Sequence, residues 1–483
     1  MKTCPYCKNI IEDHWKYCYN CNKPLITNIE NDLSKSLKSS FIEPLHYSTD
    51  LEELEGSYKY YEKNIIDEEE IERKIQEINE KLKQKEDIGE PIPGSLLLEK
   101  SSLYYKKRDL SSALKNLELA SKNFKEEKDL LNEAICYNEI GIIQEDLGFF
   151  DQAIYHFNRA LEILKDLNEY QKAIKTLNNL GNVYYLINDL EHSYKYYQEA
   201  LNLSEHNNLI TEEIKSASNL VEVLLILKDV ERIKKILSRN SKFFKEREDI
   251  YGMIQTHIKY GKFYYILGED YDQAFQSINN ALGLINRIED KDSMYIKAKL
   301  EWECFLYLGK LYLIWDNMPE AENLLLKSLE AVRIFEIAED IKEGIVLENL
   351  AKLYELKGEY LKSIEYYNFS IEIYEKYGDK PKIAKLKTVI AHLYSDFLND
   401  NLKAIKFFES ALSIFEDLEY IKESADIFHT LGDIALEREE NDIAFINFEK
   451  AKNYYKELQD DYNENIVHEK INSISKPKFH YDD

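Results

Sequence analysis

One pattern runs through most of this sequence. A small residue recurs at Ser101, Gly141, Gly181, Val221, Gly261, Gly309, Ala351, Ala391 and Gly432, at spacings of 40, 40, 40, 40, 48, 42, 40 and 41 residues. A second column follows twelve or thirteen residues later at Ala113, Ala153, Ser193, Ile233, Ala274, Ala321, Ser363, Ala404 and Ala444. Four residues beyond that, every unit has a large apolar or aromatic side chain, from Leu117, Phe157 and Tyr197 to Phe408 and Phe448. Self-similarity at such a period means that each unit is one supersecondary element that cannot bury its apolar face alone and must stack on its neighbours. The 483 residues, which division by an average domain size would split into about three globular domains, are therefore expected to form one all-α solenoid of nine units over residues 94–460.

Each unit reads as a helical hairpin. Both halves hold a 3.6-residue apolar period, and Gly148, Asn188, Gly268 and Gly358 fall where the first helix must stop. Tyr104, Tyr184, Tyr264, Tyr312, Tyr354 and Tyr394 form a further column that fills the space between hairpins. Together, Leu180-Gly181, Tyr184 three residues on, and Ser193, Tyr197 and Ala200 in the second helix resemble the tetratricopeptide repeat. The unit of about 40 residues is similar to the variety found in kinesin light chains and spindle-orientation adaptors. That resemblance implies a right-handed superhelix of hairpins whose first helices line a concave, protein-binding face. Repeat four departs most from the pattern (Val221, Leu224, Ile233, Asn240) and is expected to form a bend or a mis-stacked unit, and the insertion around Arg287 to Tyr295 is expected to lengthen a helix or loop before repeat six.

Ahead of the repeats, Cys4-Pro5-Tyr6-Cys7 and Cys18-Tyr19-Asn20-Cys21 supply two pairs of thiolates at the two-residue spacing that lets each pair reach one ion from a tight turn. Four such ligands make a tetrahedral Zn2+ site over residues 1–27; a disulfide framework, the competing reading, needs an oxidising compartment. The arrangement resembles the short zinc ribbons at the start of many prokaryotic, especially archaeal, proteins, although Lys8 and Asn22 stand where that family usually has glycine. Four cysteines leave no open coordination position, so the one zinc is expected to be structural. His14, beside Trp15, reads as a surface residue, and the isolated Cys136 and Cys304 read as small core residues. Residues 28–50 read as a linker. Residues 51–90 read as an acidic amphipathic helix or helical pair (Leu54, Tyr58, Tyr61, Ile65, then Ile71, Ile75, Ile78, Leu82) that forms a coiled-coil arm or packs on the first repeat. Residues 461–475 read as a capping helix and 476–483 as a tail.

Charge and missing motifs narrow the function. With 63 Lys plus Arg against 90 Asp plus Glu, the net charge of −27 disfavours general binding to nucleic acid or anionic membranes. No stretch approaches the roughly 18 apolar residues of a membrane span, and no apolar h-region follows Met1, so a cytoplasmic location is expected. No phosphate loop, dinucleotide turn, zinc-protease helix, nucleophile elbow or EF-hand loop occurs, so no enzyme is expected. Residues 1–50 hold six Lys and six acids. A nucleic-acid ribbon should be basic, which sets the reading as a nucleic-acid-linked regulator behind that of a protein-interaction scaffold.

The expected partner site lies on the first helices, at the positions six before, two before and one after the small residue, which span an arc of about 60° opposite the tyrosine column. In repeats three to five these positions hold Lys175, Asn179, Asn182, Lys215, Asn219, Glu222, Gln255, Lys259 and Lys262. In repeats six to eight they hold Glu303, Tyr307, Lys310, Ile345, Asn349, Lys352, Lys385, Val389 and His392. Seven lysines against two acids reverse the bias of the whole chain, so an extended, acidic peptide or protein tail is the expected ligand of the lysines, asparagines and His392. Asn182, Asn219 and Lys259 also resemble part of the clamp by which some tetratricopeptide proteins grip a C-terminal carboxylate. Asn178 and Gln255 replace two of its lysines, so that ligand is not implied.

Overall fold

The computed structural model describes residues 2–3, 10–11, 68–107, 109–268, 270–288, 293–335 and 341–474. Lys2–Thr3 and Ile10–Ile11 pair as a two-stranded antiparallel hairpin, with Lys2 opposite Ile11 and Thr3 opposite Ile10. Everything else described is helical or a turn between helices. Cys4, Cys7, Cys18, Cys21, His14, the linker, residues 51–67 and the tail lie outside the described residues.

The helical part divides into two units, Met1–Tyr307 and Leu308–Asp483. The first contains the helix Glu68–Asp87, followed by hairpins Gly94–Lys106/Leu110–Glu127, Leu130–Asp146/Phe150–Asp166, Tyr170–Leu186/Leu190–His206, Ile210–Leu227/Val230–Glu246 and Ile250–Leu267/Tyr271–Ile285. The helix Ser293–Ile314 runs through the division. The second unit continues with Met318–Phe335, the hairpins Ile341–Leu356/Tyr360–Tyr377, Lys380–Phe397/Asn401–Asp417 and Ile421–Glu437/Asn441–Glu457, and the closing helix Asp461–Ser473.

Local chemistry fixes where the helices start and stop. Asp109, Asp129, Asp189, Asp229, Asp249, Asp270, Asp379, Asp400 and Asp460 each cap a helix by accepting the backbone N–H three residues on. Left-handed residues end the helices at intervals near twenty: Lys128, Gly148, Asn168, Asn188, Asn208, Lys228, Glu248 and Gly268 all have φ between 54° and 77°. Gly148, Asn188 and Gly268 are legible as stops in the sequence. Lys128, Lys228 and Glu248 are not, because each occupies a conformation that costs a side chain about 1 kcal/mol and the tertiary stack imposes it.

The small-residue columns are where helices touch. A Cβ on Gly181 would lie 2.5 Å from the Tyr197 ring, and one on Gly141 would lie 2.7 Å from Phe157. Ala113, Ala153, Ala274, Ala321, Ala404 and Ala444 are wholly buried. Ile71, Ile75, Ile78 and Leu82 of Glu68–Asp87 pack with Leu97, Leu103 and Leu117, so this segment covers the first repeat. At the other end Val467 and Ile471 join Phe448 and Tyr455. Repeat four folds as an ordinary hairpin despite its sequence, with Val221 and Ile233 buried in place of smaller residues. The insertion before repeat six lengthens the first helix to 22 residues. In repeat eight an extra residue is absorbed as a π-turn, Leu393–Phe397, where Leu398 N–H donates to Leu393 O at 3.2 Å. No described helix is long and apolar enough to cross a membrane.

Candidate peptide-binding site

Within the first unit, neighbouring first helices lie directly against each other, and this changes what the expected stripe is. Asn138 Oδ1 accepts from Thr176 Oγ1 at 3.0 Å and from Asn179 Nδ2 at 3.2 Å. One repeat later the arrangement recurs: Asn178 Nδ2 donates to Ser216 Oγ at 2.9 Å, and its Oδ1 accepts from Asn219 Nδ2 at 3.2 Å. Asn179 has no exposed surface, and Lys175 and Asn219 are buried at 7% exposure. The expectation that these three face solvent is therefore corrected. Asparagine amides here join one first helix to the next, which satisfies polar groups that would otherwise cost about 1–3 kcal/mol each to bury.

From repeat four onward the ladder becomes ionic. Glu222 accepts from Lys259 and, through its other oxygen, from Lys262 at 2.7 Å; Lys262 also donates to Glu303 at 2.8 Å. These side chains are only 13% exposed at the lysines and 21% at the glutamates. Burial opposes ionisation of Glu222, but Lys259 and Lys262 outweigh it and hold the carboxyl down at about 2. Burial likewise opposes the charge on Lys262, and Glu222 and Glu303 overcome it and raise the ammonium well above its ordinary range. Three tyrosines complete the surroundings. Tyr307 lies 5.9 Å from Lys262 Nζ and meets Tyr265 edge-on at 5.4 Å, while burial, reinforced by Glu222, pushes Tyr185 up to about 12.

The remaining stripe residues are spread out. Asn182 Oδ1 accepts from Tyr197 Oη at 2.6 Å, and Lys215 lies 3.7 Å from Glu212. In the second unit, Lys310 is half-buried and Asn349 bonds back to Ile345 O at 2.7 Å. Lys352 pairs with Glu355 on its own helix, Lys385 is exposed, and His392 sits 3.4 Å from Asp396. The lysine excess in the sequence is thus partly cancelled in space. In the sequence alone Glu222 and Glu303 stand out only as two acids among seven lysines. The readable signal was their separation, because Lys259, Lys262 and Glu303 follow their partners by 37, 40 and 41 residues, close to one repeat. Cys136 and Cys304 are buried, and burial pushes the Cys304 thiol well above its usual range, which suits a packing role.

The tetratricopeptide repeat family matches residues 141–206 and 343–417. Tetratricopeptide repeats are thus supported in both units. Among solved structures, the chain is similar to the apo form of RapI, at 16% identity over 59% of this chain and 98% of that one, with a TM-score of 0.47. It is also similar to the apo form of the quorum sensor NprR from B. thuringiensis, at 13% identity over 72% and 99%, with a TM-score of 0.45. A third is the signal-transduction ATPase with a tetratricopeptide repeat sensor from Pyrococcus horikoshii, at 16% identity over 94% and 64%, with a TM-score of 0.39. No curated protein matches the chain.

Proposed function

We propose that the chain is a non-enzymatic interaction scaffold that binds protein or peptide partners, with the first-helix face of repeats four to six as the recognition site for an extended, acidic segment. The observation that carries this reading is the half-buried ionic cluster of Glu222, Lys259, Lys262 and Glu303. Apolar residues of similar volume would stabilise the packing at least as well as buried ion pairs do, so retaining four ionised groups there fits recognition better than stability. A ligand carboxylate that replaced Glu222 on Lys259 and Lys262 would keep the charge balanced while Glu222 turned to water. Tyr265 and Tyr307 offer rings for the ligand's apolar parts. The tetratricopeptide match supports an interaction role. We further propose that an N-terminal ribbon is a second element, in which Cys4, Cys7, Cys18 and Cys21 hold one structural Zn2+.

Selection from a random-peptide display library on the full chain tests the groove. Enriched sequences should be rich in Asp and Glu and bind less tightly as salt rises. Their affinity should fall about tenfold in Lys259→Gln/Lys262→Gln and rise in Glu222→Gln, which removes the internal competitor. Enrichment without acidic bias, or equal binding to all three proteins, refutes the reading.

A further inference from the structure

A separate feature lies at the turns of three hairpins in the first unit. Repeats two, three and four make the same turn: Gly148, Asn188 and Lys228 adopt φ of 77°, 61° and 56°. The N–H groups of Phe149, Asp189 and Asp229 close each turn onto Gln144, Tyr184 and Leu224 at 2.7, 2.8 and 3.1 Å. Residues forty apart therefore hold equivalent places. Just before the left-handed residue stand Leu147, Ile187 and Leu227, which are 40%, 41% and 55% exposed, and Leu186, Ile226 and Phe149 beside them are exposed too. Four residues further on, in the first turn of each second helix, stand Asp151, Glu191 and Glu231, all exposed. An acid at a helix N-terminus is explained by the helix dipole. A row of large exposed apolar side chains alongside is not, and contiguous exposed apolar surface marks an interaction site.

We propose that this edge of repeats two to four docks a basic amphipathic α-helix of a partner protein, independently of the groove. Helices in direct contact lie about 8–10 Å apart, and the side-chain bonds from Asn138 to Thr176 and from Asn178 to Ser216 show that these first helices are in contact. The apolar rows repeat at that interval. An α-helix rises 1.5 Å per residue, so that interval corresponds to about five to seven residues, and a helix crossing the rows at a tilt that lengthens it to about 10.5 Å meets a row every seventh residue, with one heptad-like apolar face toward all three. An extended strand meets a row about every third residue, which turns successive side chains to opposite faces. The acidic row calls for Lys or Arg along one flank of the docked helix. The same row argues against a second copy of this chain, because two acidic edges would repel and the whole chain carries −27.

The test is selection on the full chain from a display library of helix-forming peptides about 21 residues long, followed by fluorescence anisotropy of the enriched sequences. We expect apolar residues at heptad-like spacing with flanking Lys or Arg. Affinity should fall at least tenfold in Leu147→Ser/Ile187→Ser/Leu227→Ser. In Asp151→Asn/Glu191→Gln/Glu231→Gln it should fall at least threefold, with the salt dependence reduced. The second variant changes only exposed groups, so it decides the matter if the first folds poorly. Lys259→Gln/Lys262→Gln should leave this affinity unchanged, which separates the edge from the groove. An empty selection, enriched peptides without the basic and apolar pattern, or both edge variants binding within twofold of the parent overturns the proposal. So does a change of oligomeric state on removing the three apolar side chains, since the occupant would then be a second copy.

Discussion

Glu222→Gln is the most informative single change, because the carboxylate it removes holds two lysines on a neighbouring helix. In the parent protein Lys259 and Lys262 both donate to Glu222, and at 13% exposure neither ammonium can recover full hydration without moving. Removing one partner of a buried pair leaves an uncompensated charge and costs about 3–5 kcal/mol. Linkage gives a second figure. The fall of the Glu222 carboxyl from its ordinary 4.5 to about 2, at about 1.4 kcal/mol for each pH unit, corresponds to about 3 kcal/mol of stability at neutral pH. Glutamine keeps one acceptor oxygen and Lys262 keeps Glu303, so the lower end, about 3 kcal/mol, is the expected loss. The exposed cross-repeat pair of Lys165 with Glu199, 43% and 37% exposed, serves as the control. Glu199→Gln should cost no more than about 0.5 kcal/mol.

A stack of repeats need not unfold in one step, so a melting temperature is a poor readout. Native-state hydrogen exchange of the helices Ile210–Leu227 and Ile250–Leu267 reads the local cost directly. A loss of about 3 kcal/mol should lower their protection by about a hundredfold at neutral pH. The pH course is a second readout. Because the folded value lies below the unfolded one, the stabilisation is whole above pH 4.5 and disappears as pH falls from 4.5 towards about 2. Glu222→Gln should abolish that acid-sensitive part and leave the parent and variant alike at the acid end. A protection change below about threefold at neutral pH, or the same acid dependence in both proteins, would show that Glu222 does not hold the two lysines.

Three further outcomes are expected. Gly181→Ala should destabilise by about 1–2 kcal/mol, because at 2.5 Å from the buried Tyr197 ring the overpacking cost falls in the upper part of the usual range of about 1–3 kcal/mol and outweighs the helix-propensity gain of about 1; the same change at Gly283, which has open space around it, should stabilise, and denaturant titration of the two variants measures the opposite signs. His429 accepts from Lys470 at 2.8 Å on the closing helix, and burial first and Lys470 second hold its pKa below the ordinary 6.5 against Asp433 and Asp426; its contribution is whole above pH 6.5 and lost as pH falls below 6.5 and through the lower folded value, so exchange protection of Asp461–Ser473 should drop on acidification and His429→Gln should flatten the drop. Metal analysis of protein purified under reducing conditions should find one zinc per chain, absent in Cys4→Ser with the repeats still helical, and an absence of zinc in the parent ends the ribbon reading.

The hairpins were legible because stacking imposes a period that composition cannot hide. Gly141 and Gly181 are small since Phe157 and Tyr197 press on them, and Ala153 and Ala274 are small since no surface is left to them. The same column failed to flag repeat four as ordinary, because Val221 and Ile233 are buried where the other repeats mostly hold glycine and alanine. The helix ends were half legible. Asparagine and glycine announce a left-handed residue, whereas Lys228 and Glu248 adopt one only because the next helix must start there.

The candidate site was harder to read for a definite reason. Positions six before, two before and one after the small residue do share one face of a first helix, as the 100° rotation per residue requires. What rotation alone cannot say is whether that face meets solvent or the next first helix. For Asn179 and Asn219 it meets the next helix, and the amides pair with Asn138 and Asn178. For Lys259 and Lys262 it meets Glu222. Counting charge along the stripe gives seven lysines to two acids, but a partner feels charge where it is uncompensated, and in the first unit the two acids fall on the two central lysines. An acidic segment must therefore compete with Glu222 and Glu303 rather than meet bare lysines. Binding there should be an exchange of carboxylates, strengthened by removing Glu222 and weakened by removing Lys259 and Lys262, and this pair of opposite signs distinguishes a recognition site from a merely structural ion cluster.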